Sequence, residues 1–443
     1  MENFNIDAQT LQDLNIFTGP PNSGPVFNIF KGTRTIGGRE RMRTMMAAPS
    51  ANLQLIKTRR DAIRYFYDHK ITLDIRNEEL DLIEFYLKSD GRKSKANLID
   101  AVADFITRNS SNDYYIVTTG LKYLIRLARY LNNLIKEHQS EGSPEYISAI
   151  LERIGEIIDQ GMLGKAILLN ETALKFYQVN QLDKAFRGTE KRNIHELLQF
   201  VYELDVFECV AYVASEKNFC FPQYENGEEM KVSMKGLFHP GIKNPVKNDV
   251  IFSKEENIVF LTGSNMAGKS SLLKSIGLAV YLAHLGFPVP ATEMQTSIFN
   301  GLVSTINLPD DISDGLSHYY SEVKRVKQVA QMLINNERMF VIFDELFRGT
   351  NVKDAFDASF LIISELSNIK NSAFFISTHI VELAAELKKY DNITFKYLET
   401  FFQDHKPVFT YQLASGISKE RLGMYIVLNE GIVEDIRKAA GQI

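Results

Sequence analysis

Gly263, Gly268, Lys269 and Ser270 stand at the spacing G-x4-G-K-S inside "FLTGSNMAGKSSLLKS", residues 260–275. The chemistry open to that set is capture of a phosphate chain. Glycine reaches positive φ without a Cβ clash, so a loop built on it can turn its N–H groups inward around an anion. A helix beginning at Lys269 would aim its positive end at the same point. Lys269 would then reach the β- and γ-phosphates of ATP, and the Ser270 hydroxyl would ligate Mg²⁺. Ser264, Asn265, Met266 and Ala267 fill the loop between the glycines, and Ser271 follows it. All five are candidate nucleotide contacts.

Hydrolysis of a bound triphosphate needs an acid that organises the metal, and "MFVIFDEL" supplies a pair. Asp344 ends an apolar run, where a carboxylate can hold Mg²⁺ through water. Glu345 comes next, where it can polarise an attacking water. A third apolar run, "FFISTH", ends in His379, placed to sense or position the γ-phosphate.

These groups must be carried by strands that end near one another. "NIVFLT" reads as a buried strand ahead of the glycine loop and "KSSLLKSIGLAVYLAHL" as the helix behind it. Further β-rich runs are "MKVSMKGLF", "RMFVIFDEL", "SAFFISTH", "ITFKYLET" and "PVFTYQLAS". Helical stretches separate several of them, which predicts an α/β unit. Upstream, from about 39 to 218, apolar residues recur at three and four in "GLKYLIRLARYLNNLIKEH" and "SPEYISAILERIGEIIDQG", so that half is helical. Ser143-Pro144 suits a helix start and Gly161 its stop. Residues 1–30, with "TGPPNSGP", read as an extended, loop-rich entry. The expected organisation is multidomain α and α/β: a helical domain over 1–225 and a P-loop ATPase domain over 226–443.

Composition bounds the rest. The chain has 443 residues, 45% apolar and 24% charged, which suits two or three soluble domains. No run approaches the roughly eighteen apolar residues a membrane span needs. The first residues, "MENFNIDAQTLQDLNIF", do not read as a signal peptide. Cys209 and Cys220 form neither a metal spacing nor a disulfide framework, which points to reducing cytoplasm. Net charge is −5, which weighs against constitutive tight binding to nucleic acid. The basic run "KGTRTIGGRERMR" at 31–43 reads as a solvated helix start.

The three strand ends, in this order, resemble the ATPase of the MutS family, within the wider ABC-type ATPases. "TGSNMAGKSS" is similar to the MutS loop T-G-P-N-M-G-G-K-S-T, Asn265 and Met266 included. "FDELFRGTNVKDA" resembles D-E-x-x-R-G-T-S-x-x-D-G and keeps Arg348, Gly349, Thr350 and Asp354; "STHIVEL" resembles A-T-H-Y-x-E-L. "DDISDGLSHYYSEVKRV" resembles D-D-L-x-x-G-x-S-T-F-x-x-E-M, with Asp310, Asp311, Gly315, Ser317 and Glu322 retained. That resemblance implies a homodimer with composite ATP sites, Ser317 reaching the partner's γ-phosphate in trans. "FNIDAQTLQDLNIF", "GTRTIGGRERMRTMMAAP" and "HELLQFVYELDVFECVAYVASEKNFCFPQY" resemble parts of the MutS core and lever domain, and "YQLASGISKERLGMYIVLNEGIVEDIRKA" its C-terminal dimerisation segment. Residues 75–185 carry helical character alone.

The pattern departs from the family in three places. The mismatch-reading and connector domains have no counterpart, the middle is short for a full DNA clamp, and Pro245 stands about where many relatives stack an aromatic on adenine. The resemblance therefore implies a cytoplasmic MutS-like ATPase acting on DNA, selected by structure rather than by mismatch, with no membrane partner. The alternative is an ATP-switched dimeric protein-interaction module without DNA contact.

Overall fold

Strands and helices alternate through the C-terminal half, and a computed structural model shows how they assemble. It describes residues 4–19, 24–89, 112–138, 142–227, 229–264, 266–306, 318–336, 338–403, 406–418, 427 and 429–440. The chain divides into two units, one made of Met1–Asn28, Ala48–Lys57 and Glu216–Ile443, the other of Ile29–Ala47 and Thr58–Ser215. The single boundary expected at 225/226 thus becomes an interleaved one. No helix among the described residues is long and apolar enough to cross a membrane.

The helical unit follows its apolar periodicity. In Glu145–Gln160, Ile147, Ile150, Leu151, Ile154, Ile157 and Ile158 are buried, the stripe that a 3.6-residue repeat turns to one side. Pro144 and Gly161 flank that helix as its caps. The basic run at 31–43 has a more specific place than a solvated helix start. Asp205, on the long helix Lys191–Lys217, accepts the Arg34 and Thr35 N–H groups and the Thr35 hydroxyl. Thr35 in turn caps helix Ile36–Met46 by accepting from the Gly38 N–H. Arg34 pairs with Glu208 at 2.5 Å and Arg41 with Glu203 at 2.7 Å. Two arginines of the run are therefore spent on acids of one helix.

In the α/β unit a six-stranded sheet runs β10-β9-β4-β8-β7-β6. Its members are β4 (Ile258–Thr262), β6 (Gly301–Thr305), β7 (Met339–Asp344), β8 (Ala373–Thr378), β9 (Ile393–Gln403) and β10 (Lys406–Ser415). All pairs are parallel except β9 with β10. β4, β6 and β8 are buried along their whole length, as parallel strands covered on both faces must be. Phe260, Phe340, Phe343 and Phe374 fill the core. A second sheet has the order β1-β5-β2-β3, from β1 (Gln223–Tyr224), β2 (Lys231–Leu237), β3 (Asn248–Ser253) and β5 (Glu293–Thr296).

Residues 4–19 and 24–30 hold more regular structure than a loop-rich entry. Asn5 bridges to Gly301, and Ala8–Asp13 forms a helix capped by Asp7. Buried Thr10 accepts the Ser304 N–H, and buried Asp13 accepts the Ser304 hydroxyl and the Ile306 N–H. Pairing to β6 and its exit, not local propensity, holds that helix. β6 itself, like β3 and β5, is short, and its composition does not mark it as a strand.

Candidate functional site

Register brings the chemistry together. β8 lies between β4 and β7, with Thr262 beside Thr378 and Asp344 beside Ser377. The three strands thus end level, and the segments that leave them share one rim, the place where parallel sheets receive ligands.

The glycine loop leaves β4 and enters helix Lys269–His284. Gly268 caps that helix at φ 96°, a left-handed value that glycine adopts without strain. A Cβ there would sit 3.0 Å from the Tyr411 ring. Lys269 is only 5% exposed, and its ammonium donates to the Gly263 carbonyl (2.9 Å) and the Ser264 carbonyl (3.2 Å). It lies 3.4 Å from either ring nitrogen of His379. Burial pulls the Lys269 pKa down, against the upward pull of Glu345 and Asp344. An anion bound beside this ammonium would favour its charged form and oppose the effect of burial.

Asp344 is gripped from two sides. Ser270 Oγ donates to Oδ2 at 2.8 Å, and Ser377 Oγ donates to Oδ1. Burial raises the Asp344 pKa, with Ser377 and Ser270 opposing and Glu345 adding to the rise. A hydroxyl and a carboxylate in contact fit Mg²⁺, which takes few protein ligands and fills its shell with phosphate oxygens and water. Among the described residues no cluster of three or more His, Cys, Asp or Glu could hold a metal by itself.

Glu345 adopts φ 59° and its N–H donates to the Ser377 carbonyl at 3.0 Å. Its carboxylate lies 2.5 Å from His379 Nε2. The hydrogen bond with His379 holds the Glu345 pKa below the ordinary carboxylate value despite partial burial. Glu345 is therefore an ionised acceptor whose direction His379 sets.

A cavity of about 600 Å³ opens over this rim, lined on the loop side by Ser264, Met266, Ala267, Ser270 and Ser271. Ala267 is buried, whereas Met266 is 71% exposed at φ 70°. Across from them stand Phe238, Ile242, Pro245, Leu398 and Tyr411. That volume and apolar wall suit a nucleoside. Pro245 does line the cavity, and Tyr411, on β10, lines it as well. Tyr411 sits at φ 58° where the β9–β10 register shifts between Phe409 and Leu413. Asn248 holds it there, donating to the Tyr411 carbonyl at 3.0 Å and accepting the Leu413 N–H at 2.7 Å.

The structure thus brings Gly263, Ser264, Ala267, Gly268, Lys269, Ser270, Asp344, Glu345 and His379 to one rim. Asn265 and Ser317, with the stretch 310–316, lie outside the described residues. Sequence reasoning missed Ser377 and Tyr411. Ser377 was legible only as the next-to-last residue of "FFIST"; nothing local marks Tyr411, whose role follows from strand order.

Comparison with known proteins falls on the same region. Residues 259–443 match the family described as MutS domain V. The DNA mismatch repair protein MutS of Pseudothermotoga lettingae is 26% identical over 254 residues, covering 56% of this chain and 31% of its own length. That of Aquifex pyrophilus is 27% identical over 348 residues, covering 76% of this chain and 38% of its own length. That of Anaplasma phagocytophilum is 26% identical over 338 residues, 71% of this chain and 39% of its own. The matches span between 31% and 39% of the length of these relatives.

Proposed function

We propose that the chain is a MutS-like protein that hydrolyses ATP and couples the nucleotide state to DNA binding. The observation that carries the reading is the meeting of Lys269, the Ser270–Asp344 contact and the Glu345–His379 contact at one rim. Lys269 and the N–H groups of the glycine loop bind the phosphates. Ser270, and Asp344 through water, would hold Mg²⁺, which would supply neutralisation of the charge that develops on the phosphate oxygens. Glu345 orients a water toward the γ-phosphorus and accepts its proton as the bond to the leaving β-phosphate oxygen breaks. His379 keeps Glu345 aimed. Phe238, Pro245 and Tyr411 offer the nucleoside an apolar slot.

In this reading the protein is a cytoplasmic homodimer with shared ATP sites, Ser317 reaching the partner's γ-phosphate. The helical unit grips DNA selected by structure rather than by a mismatch. The second reading, an ATP-switched protein-interaction module, is favoured by two observations: the net charge of −5 and the pairing of Arg34 and Arg41 with Glu208 and Glu203.

One experiment separates them. Purified protein without nucleotide, with ADP and with a non-hydrolysable ATP analogue is titrated with plain duplex, mismatched duplex, four-way junction and single strand at two salt concentrations. ATP hydrolysis with nucleotide-dependent, salt-sensitive binding to junctions or ends supports the lead reading. A mismatch preference overturns the selection by structure. Hydrolysis with no DNA binding in any state selects the interaction module, and no hydrolysis in any state overturns both.

A further inference from the structure

The turn after β7 carries Glu345, and it is held in a costly shape. Both Glu345 and Phe347 take φ 59°. Non-glycine residues in that region are strained and persist only where the surroundings over-determine them. Phe347 and Leu346 are buried, which anchors the turn from below. A further restraint comes from helix His318–Asn335. Tyr319 sets its ring against Phe347, centroids 5.8 Å apart. One turn along the same face, Glu322 is 5% exposed. Its carboxylate accepts the Gly349 N–H at 3.3 Å and lies 3.8 Å from Arg348 Nε. Arg348, half exposed, approaches from outside.

Between helix and turn lies a space of only about 10 Å³, bordered by Glu322, Val326, Asp344, Glu345, Phe347 and Arg348. That is room for about one water, so helix and turn are closely packed there. The helix is pinned in its turn. Arg325, three residues past Glu322, donates to Asp7 and to the Ser304 carbonyl at 2.6 Å. The contacts of Glu322 with Gly349 and Arg348 fall on the far side of the acidic turn from Lys269.

We infer that Glu322 is a positioning residue for hydrolysis: by holding Gly349 and Arg348 it keeps Glu345 at the angle that water activation requires. The inference rests on the ATPase reading of Glu345. Misplacing a catalytic group by about 1 Å costs on the order of a hundredfold in rate. The phosphate loop is untouched, so the loss falls on kcat and leaves ATP affinity alone.

The test compares Glu322→Ala and Glu322→Gln with the parent chain. Steady-state ATP hydrolysis is measured beside amide hydrogen exchange of the nucleotide-free protein. The expected result is a roughly hundredfold lower kcat for Glu322→Ala with KM for ATP within about twofold. Exchange quickens over 345–350 and not over 258–270. Glu322→Gln, which still accepts the Gly349 N–H, recovers much of both. A change in KM at constant kcat overturns the inference. So does faster exchange spread evenly over the unit, because Glu322 would then be a general stabiliser. If the parent chain turns over no ATP, the ATPase reading falls, while unchanged exchange over 345–350 in Glu322→Ala separately overturns the clamp.

Discussion

Replacing Asp344 by Asn should make the nucleotide-free protein more stable while ending Mg²⁺-dependent hydrolysis. The carboxylate has an ordinary pKa of 3.8, and its burial at the strand end raises it. In the free protein its charged form is therefore under-solvated, and the two serine hydroxyls only partly offset this. Asn keeps the shape. Its carbonyl accepts from one hydroxyl, and its amide donates to the other once that hydroxyl rotates. Relief of this kind at functional sites is worth about 1 kcal/mol, or about 2–4 °C in melting temperature for a unit of this size. The sign with pH follows from the raised pKa. The protonated carboxyl's advantage is present below the ordinary 3.8 and lost as pH rises through the folded-state value. The Asn variant's lead should therefore open as pH rises through that value and stay level above it. Thermal melts of both proteins across pH, each with and without Mg²⁺ and ATP, measure this. Saturating nucleotide at about 100 Kd should add about 2.7 kcal/mol to the parent, and the Mg²⁺-dependent part should vanish in the variant. A nucleotide-free variant that melts below the parent refutes the reasoning, since the serine bonds would then outweigh the burial of charge.

Other perturbations give separate readouts. Glu345→Gln should slow single-turnover hydrolysis about 10²- to 10⁴-fold while ATP titrations stay unchanged; equal loss of binding would contradict its assigned role. Because its pKa is depressed below 4.5, the stability that Glu345 contributes holds above that value and fades as pH falls through the lower folded one, a slope Glu345→Gln should lack in acid melts. Lys269→Met removes a buried ammonium, so the melting temperature without nucleotide should hold or rise while ATP affinity drops about 10- to 100-fold, read by calorimetric titration. Arg325→Met takes the donor from the Ser304 carbonyl and one of the donors from the half-buried Asp7, which keeps the Thr10 N–H. It should cost about 3 kcal/mol, or about 6–12 °C, and a shift under about 2 °C would show the cluster to be dispensable.

The elements that could be read along the chain were those with a local cause. The glycine loop announces itself because only that spacing lets backbone N–H groups wrap an anion, and its strand and helix flank it directly. "MFVIFDEL" and "FFISTH" stand out as buried strands with polar ends, because fully covered parallel strands need uninterrupted apolar residues. Helix Glu145–Gln160 declares itself by its isoleucine stripe and its flanking Pro and Gly. The helix Ala8–Asp13 and the strand β6 do not, since each is short and is stabilised by the other through Thr10, Asp13 and Ser304. The arginines of the 31–43 run look solvated in one dimension because Glu203 and Glu208 lie more than 160 residues away.

The same division runs through the site. Lys269, Ser270, Asp344, Glu345 and His379 are legible from residue type and spacing, the first two at the helix start behind the glycine loop and the others at or just past a recognisable strand end. Their mutual geometry came from register: β8 inserted between β4 and β7, which puts Ser377 on Asp344 and His379 on Glu345. Tyr411 over Gly268, and Glu322 beneath the acidic turn, are products of folding alone. Local sequence encodes backbone preference and the order of polar ends along strands. Which strand lies beside which is settled by burial of both sheet faces at once, a sum over the whole unit that no window of residues contains.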